Sequence, residues 1–125
     1  MSEPTPLSKQ LLAEFTGTAA LLCAVIGSGI MAQRISGGND GVALLANTLA
    51  TVFALYVLIE SLGPISGAHF NPLVTVLFAA RRALSWPLAA AYIAVQTGGA
   101  VLGVWAAHLM FAQPLLQVST HLRAG

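Results

Sequence analysis

Asn71-Pro72 opens an apolar segment of ten residues that Arg81-Arg82 closes, in a chain whose other apolar runs are about twice that length. Asparagine caps helices, and proline at the first helical position gives up an N–H that has no partner there anyway. The segment therefore reads as a helix over Asn71–Ala80, about 15 Å long, half the ~30 Å hydrocarbon thickness of a bilayer. A helix that short, lodged among full spans, crosses only part of the membrane. Its start lies near the midplane, where irregular backbone is tolerated only if buried in protein or facing a watery cavity. Arg81 and Arg82 place cations on the helix C-terminus and at the water boundary. That boundary is the one from which the chain entered, so the segment is re-entrant.

The membrane setting follows from composition. Of 125 residues, 57% are hydrophobic and 7% charged, with mean hydropathy +0.82. Soluble domains carry about 25% charged residues, and a soluble globule this small could not hide so much apolar surface. Three runs are long enough to span: Leu11–Ala32 (about 33 Å as a helix), Val42–Leu62 (about 31 Å) and Trp86–Phe111 (about 39 Å). The fold class is thus an all-α membrane protein with three transmembrane helices and one re-entrant half-helix. Residues 1–10 read as a polar N-terminal tail, 11–111 as a single membrane unit and 112–125 as a polar C-terminal tail. No signal peptide is expected, because the first run exceeds 20 residues and lacks a small-residue cleavage site. Gln33–Gly41 is a polar, Gly-rich connection. Gly63–Phe70 is apolar or small yet broken by Gly, Pro and Ser, which does not suit a solvated loop.

A net charge of +1 offers no basic field for nucleic acid. No Gly-rich phosphate loop, metal-ligand cluster or nucleophile triad is visible, so neither cofactor, metal nor catalytic residue is expected, and an enzyme is disfavoured. Cys23, inside the first run, reads as a small packed residue. Thr16, Ala20, Ala24 and Ser28 form a small-residue stripe on the first span. Gly99 and Gly103 form a GxxxG pair on the third, and such stripes allow close helix contact. Lys9, Arg81 and Arg82 fall on one side of the membrane, Arg34 and Arg123 on the other. The positive-inside rule then puts the N-terminus in the cytoplasm, by a margin of only three to two.

The sequence resembles the aquaporin and aquaglyceroporin (major intrinsic protein) family. The matching residues are Ala13-Glu14-Phe15-Thr16-Gly17-Thr18, then Ser66-Gly67-Ala68-His69-Phe70-Asn71-Pro72 with Val74-Thr75, then Tyr92-Ile93 with Gln96, Gly99 and Ala100. The resemblance covers about Leu11 to Phe111 and matches the N-terminal repeat alone, half of the aquaporin fold. The family pairs two inverted repeats whose half-helices meet Asn to Asn at the midplane. One departure stands in the signature itself: Leu73 occupies the place of the family's usual alanine, which bears on pore width.

The resemblance implies a passive channel for water or small uncharged solutes such as glycerol, in a cell membrane; residue usage suggests a bacterial inner membrane. Asn71 is expected both to cap the half-helix and to donate from its side-chain NH2 to a passing solute. The helix dipole adds about half a positive charge at the same place, repelling protons and cations. Pro72 fixes the turn, Gly67 and Ala68 permit tight backbone packing, and carbonyls from Ser66 to His69 are expected to form an acceptor ladder. His69 faces the pore mouth or bonds within the loop. Phe70 and Val74 read as packing or pore wall. Glu14, an intramembrane carboxylate, is expected to accept hydrogen bonds from loop N–H groups, with Gln96 doing related work. Thr51 aligns with a residue of the family's outer selectivity filter, and its small size suggests a wide opening. Glu60 has three readings: snorkelling to the interface, pairing with His69 or an arginine, or meeting a partner chain. His108 reads as an interfacial or satisfied residue.

A single repeat exposes polar backbone to lipid, at several kcal/mol per unsatisfied group. The partners expected are membrane lipids and a complementary half. That half is an inverted second copy in an antiparallel homodimer, with four such dimers mimicking the family's tetramer, or a different chain. The weak charge bias permits dual insertion. A fragment without function of its own is the remaining option. The competing functions are a small dual-topology transporter using Glu14 or Glu60, and a non-conducting half-channel that modulates a full-length relative.

Overall fold

A computed structural model describes residues 5–112 as four helices: α1 (Leu7–Ile35), α2 (Asp40–Ser66), α3 (Pro72–Ala80) and α4 (Trp86–Met110). α1, α2 and α4 are long and apolar enough to cross a membrane, and α3 has nine residues, about 14 Å. The chain is a multi-pass membrane protein with one half-length helix. Residues 113–125, which hold most of the expected C-terminal tail and Arg123, lie outside the described residues, as do residues 1–4.

The helices overrun the apolar runs. α1 starts at Leu7, directly after Pro6 at the N-cap, so Lys9 and Gln10 belong to its first turns. It ends at Ile35 rather than Ala32. Apolar runs measure the hydrocarbon thickness, whereas a helix continues into the headgroup layer, where polar side chains are solvated. α2 begins at Asp40 behind Asn39, whose side chain accepts from Val42 N at 3.1 Å. It continues through Gly63 and Pro64 to Ser66, a correction to the expectation that the chain breaks at Gly63. Pro64 lies in the final turns, where it removes a single backbone bond, and membrane helices tolerate that loss. Gly67 then ends the helix in the left-handed region (φ 89°), its N–H on Gly63 O at 2.8 Å.

α1 is the hub, packing on both α2 and α4, while α3 packs on α4. Glycine sets the α1–α4 distance. A Cβ on Gly99 would overlap the Phe15 carbonyl oxygen, and one on Gly103 would overlap that of Ala19. The GxxxG pair therefore brings two backbones together. The stripe on α1 is divided: Ser28 donates to Asn47 Oδ1 at 2.7 Å on α2, but Thr16 and Ala20 are exposed.

These contacts fix direction. Glu14, Phe15, Ala19 and Gly27 on α1 meet Gln96, Gly99, Gly103 and Ala107 on α4 in the same order, so the two helices run parallel. On α2 the order reverses, with Ser28 beside Asn47 and Glu14 beside Ser66. α1 and α4 therefore start on the same side of the membrane. Arg81 and Arg82, just before α4, share that side with Lys9. Arg34 lies at the other end, where its Nη2 donates to Phe111 O at 2.6 Å and its guanidinium stands 5.3 Å from the Phe111 ring. α3 thus starts deep and returns to the side to which α2 delivered the chain.

The exit from α3 is a Schellman motif with arginine in the usual glycine place. Ala83 N bonds Phe78 O and Arg82 N bonds Ala79 O, both at 3.0 Å, with Arg82 at φ 64°.

Candidate functional site

The loop from Gly67 to Asn71 carries an unusual backbone. Gly67, Ala68 and Phe70 have φ of 89°, 53° and 52°. For the two residues with a Cβ, the left-handed region costs about 1–2 kcal/mol each. Opposing that cost is the Glu14 carboxylate, which is fully buried. Its Oε2 accepts from His69 N at 3.1 Å and from the Ser66 hydroxyl at 2.5 Å. Its Oε1 accepts from Phe70 N at 2.9 Å and Gln96 Nε2 at 2.8 Å. Two consecutive N–H groups converging on one carboxylate form a nest. Four donors match the carboxylate's four lone-pair positions, so it needs no counter-cation at this depth.

A second layer locks this knot. Gln96 Nε2 also donates to Thr75 Oγ1 at 2.9 Å, and the His69 ring Nδ1 lies 2.9 Å from the same hydroxyl. The His69 ring stacks on Phe78 with centroids 4.7 Å apart and tilts against Tyr92 at 5.2 Å. The Tyr92 hydroxyl donates to Ser66 O at 2.8 Å, and Ala68 N donates to Ser66 Oγ at 3.2 Å. The Phe70 ring lies where a Cβ on Gly17 would be, so only glycine at position 17 lets the loop sit this close to α1. Thr75 and Tyr92, matched to the family by sequence without a role, are members of this network. Their signal was their spacing: Thr75 lies one turn beyond Asn71, and Tyr92 one turn before Gln96.

The loop delivers Asn71 to the start of α3. Asn71 is extended (φ −158°, ψ 125°), and its Oδ1 accepts from Leu73 N at 2.8 Å, with Pro72 at the first helical position. α3 covers about 14 Å back to Arg81, so Asn71 lies about half a bilayer deep. The cap uses the oxygen of the amide. Its NH2 makes no hydrogen bond among the described residues, and the side chain is exposed. The positive end of the α3 dipole coincides with that donor.

The remaining expected positions are dispersed over the loop, α2, α3 and α4. Leu73 is 75% exposed on the open side of α3. The Ser66 carbonyl is taken by Tyr92, whereas those of Gly67, Ala68 and His69 accept no bond among the described residues. Thr51 is half-buried on α2, its hydroxyl donating to Asn47 O at 2.8 Å one turn back. Glu60 is exposed on α2 and makes no ion pair with His69 or an arginine among the described residues. By the α1–α2 register it sits nearer the middle of the helix pair than its end. His108 is 7% exposed near the end of α4.

A half-length helix that begins mid-membrane at a capped asparagine, tied by one buried carboxylate to the first span, defines a repeat of a channel-type membrane fold. Residues 1–124 match the sequence profile of the major intrinsic proteins, and the chain belongs to that family. It is 47% identical over 119 residues to the aquaglyceroporin AqpS of Rhizobium meliloti, covering 95% of this chain and 51% of AqpS. It is 36% identical to the probable aquaporin NIP5-1 of Arabidopsis thaliana, covering 82% of this chain and 34% of that protein. Identity to aquaporin NIP1-1 of Oryza sativa is 37%, over 85% of this chain and 36% of the plant protein. The chain thus spans about half the length of AqpS and about a third of the plant relatives. Its described residues form half of the aquaporin fold.

Proposed function

We propose that this chain provides one half of a passive channel for water and small uncharged solutes. The observation that carries this reading is the Asn71 amide. Its oxygen is committed to the helix cap and its NH2 is left exposed at the positive end of α3. A solute hydroxyl or water reaching that point accepts a hydrogen bond, while a proton or cation meets an unfavourable field. The free carbonyls of Gly67, Ala68 and His69 supply acceptors for the same solute on its way to Asn71. Polyol passage is favoured over water alone by the small Thr51 and by likeness to a protein named as an aquaglyceroporin.

The wall opposite Asn71 must come from a second repeat. Among the described helices α3 packs only on α4, and its Leu73 and Leu77 are 75% and 55% exposed. An inverted second copy is the supplier this reading favours, because the nearly balanced charge permits insertion in both directions. Two Asn71 side chains would then face each other across a twofold axis lying in the membrane plane.

Two experiments test the reading. Proteoliposomes carrying the full chain should shrink faster than empty vesicles after an osmotic step with impermeant solute, and should re-swell in glycerol. Rates equal to those of empty vesicles refute the channel. Cysteine placed at Lys9 should label from both faces of intact cells; labelling from one face alone refutes the inverted copy and leaves the channel standing with another supplier.

A further inference from the structure

A groove separates the first turns of α1 from the last turns of α2, on a different face of α1 from Glu14. Lys9, Leu12, Ala13 and Thr16 line one wall and Leu62 and Ile65 the other, around a cavity of about 230 Å³. Positions 9, 12, 13 and 16 repeat at helical spacing, so they form one face of α1. The gap exists because Ala13 and Thr16 are too small to fill it. Two side-chain hydrogen bonds join the helices, Ser28 to Asn47 at their far end and Ser66 to Glu14 at the near end, and neither of those pairs lines the groove.

The chemistry of the groove is graded with depth. Lys9 stands two residues inside the start of α1, at headgroup level. Thr16 lies about 10 Å further along the axis, at acyl-chain level. Below Lys9 the walls are almost wholly hydrocarbon. At the rim, Lys9 is exposed and makes no ion pair among the described residues. The start of α1 has no side-chain cap and no acidic residue in its first turn, so the dipole adds to the positive potential there. Glu60, the acid nearest the α2 wall in sequence, stands about 200° around the helix from Leu62.

We propose that this groove holds one acyl chain of an anionic phospholipid whose headgroup phosphate rests on Lys9. Such a lipid brings hydrocarbon for the walls and a negative charge for the rim in one molecule, at the spacing between headgroup and chain that the groove offers. A zwitterionic lipid fills the walls equally but carries a cation that opposes Lys9. The selectivity therefore resides in one charge, which corresponds to about a fivefold preference near a membrane surface.

The test is lipid retention by the full chain in mild detergent, titrated with dioleoyl phosphatidylglycerol or dioleoyl phosphatidylcholine and read by native mass spectrometry. The expected result is about fivefold better retention of the anionic phosphatidylglycerol. That preference should disappear in Lys9→Ala, persist in Lys9→Arg, and persist in Arg81→Ala, which removes a cation from the same side but not from the groove. Thr16→Trp, which fills the cavity, should reduce retention of both lipids. Circular dichroism identifies variants that have lost helix. The exposed Lys9 substitutions suffice if Thr16→Trp does not fold. Equal retention of the two lipids by the unmodified chain, or a preference that survives Lys9→Ala, overturns the proposal. Efficient disulfide cross-linking of Thr16→Cys between copies in native membranes also overturns it, by assigning the groove to a second copy.

Discussion

Glu14 Oε1 accepts the Phe70 N–H at 2.9 Å, joining positions 56 residues apart. This bond and its neighbour to His69 turn a strained loop into a fixed platform for Asn71. Glu14→Gln keeps the shape but replaces one acceptor oxygen with an NH2 that faces other donors. With two or more charge-assisted bonds weakened, the substitution should cost about 2–3 kcal/mol. The check is thermal unfolding in detergent together with osmotic shrinkage of proteoliposomes, both of which should fall.

Gly17 is the other support of the same loop. A methyl there occupies space taken by the Phe70 ring. Gly17→Ala should displace the loop and destabilise the protein by about 1–3 kcal/mol, the usual cost of overpacking. Helical content should remain near that of the unmodified chain, because α1 tolerates alanine, while solute permeability drops. Unaltered permeability in Gly17→Ala would show that the loop position is not critical.

Substitutions at Asn71 separate capping from the solute contact proposed for it. Aspartate caps as well as asparagine, so Asn71→Asp should leave the unfolding temperature nearly unchanged. It removes the NH2 donor and adds negative charge at the tip of α3. Slower water flux and weaker exclusion of cations are the expected outcome in liposome swelling and membrane conductance. Asn71→Ala should lose about 1 kcal/mol of stability through the missing cap.

Gly103 tests the α1–α4 seam. Any Cβ there meets the Ala19 backbone, which cannot swing aside as a side chain would. Gly103→Val should push the helices apart and cost more stability than Gly17→Ala, where the obstacle is a movable ring. Comparing the two unfolding midpoints decides the order.

Tyr92 measures the outer layer of the network. Tyr92→Phe leaves the ring beside His69 and removes the hydroxyl from Ser66 O. The expected loss is about 1–3 kcal/mol, the cost of leaving a buried carbonyl without its donor. The freed Ser66 carbonyl is buried beside α4 rather than open to solute, so permeability should hold.

Local chemistry was legible in the residues themselves. Asn71-Pro72 starts α3 as expected, because a cap and an N1 proline act within one turn. The distance to Arg81-Arg82 set the length of α3 for the same reason. Helix ends at the membrane surface were not legible. Leu7 and Ile35 bound α1 beyond its apolar run, because lipid selects composition only within the hydrocarbon layer. Pro64 misled in the same way: a breaker in water is tolerated in a membrane helix, because the bonds that remain cannot be traded for bonds to water.

The sequence alone determined that three spans and one half-length helix exist, and that Asn71 begins the short one. Those outcomes depend on hydropathy and on contacts between close neighbours in the chain. Only the tertiary structure decided that Glu14, Ser66, Thr75, Tyr92 and Gln96 share one network, and that Gly17 makes room for Phe70. It also decided that the Asn71 oxygen is spent on the cap while its NH2 is left open. Such relationships depend on how α1 and α4 approach, a distance set where glycine lets one backbone touch another.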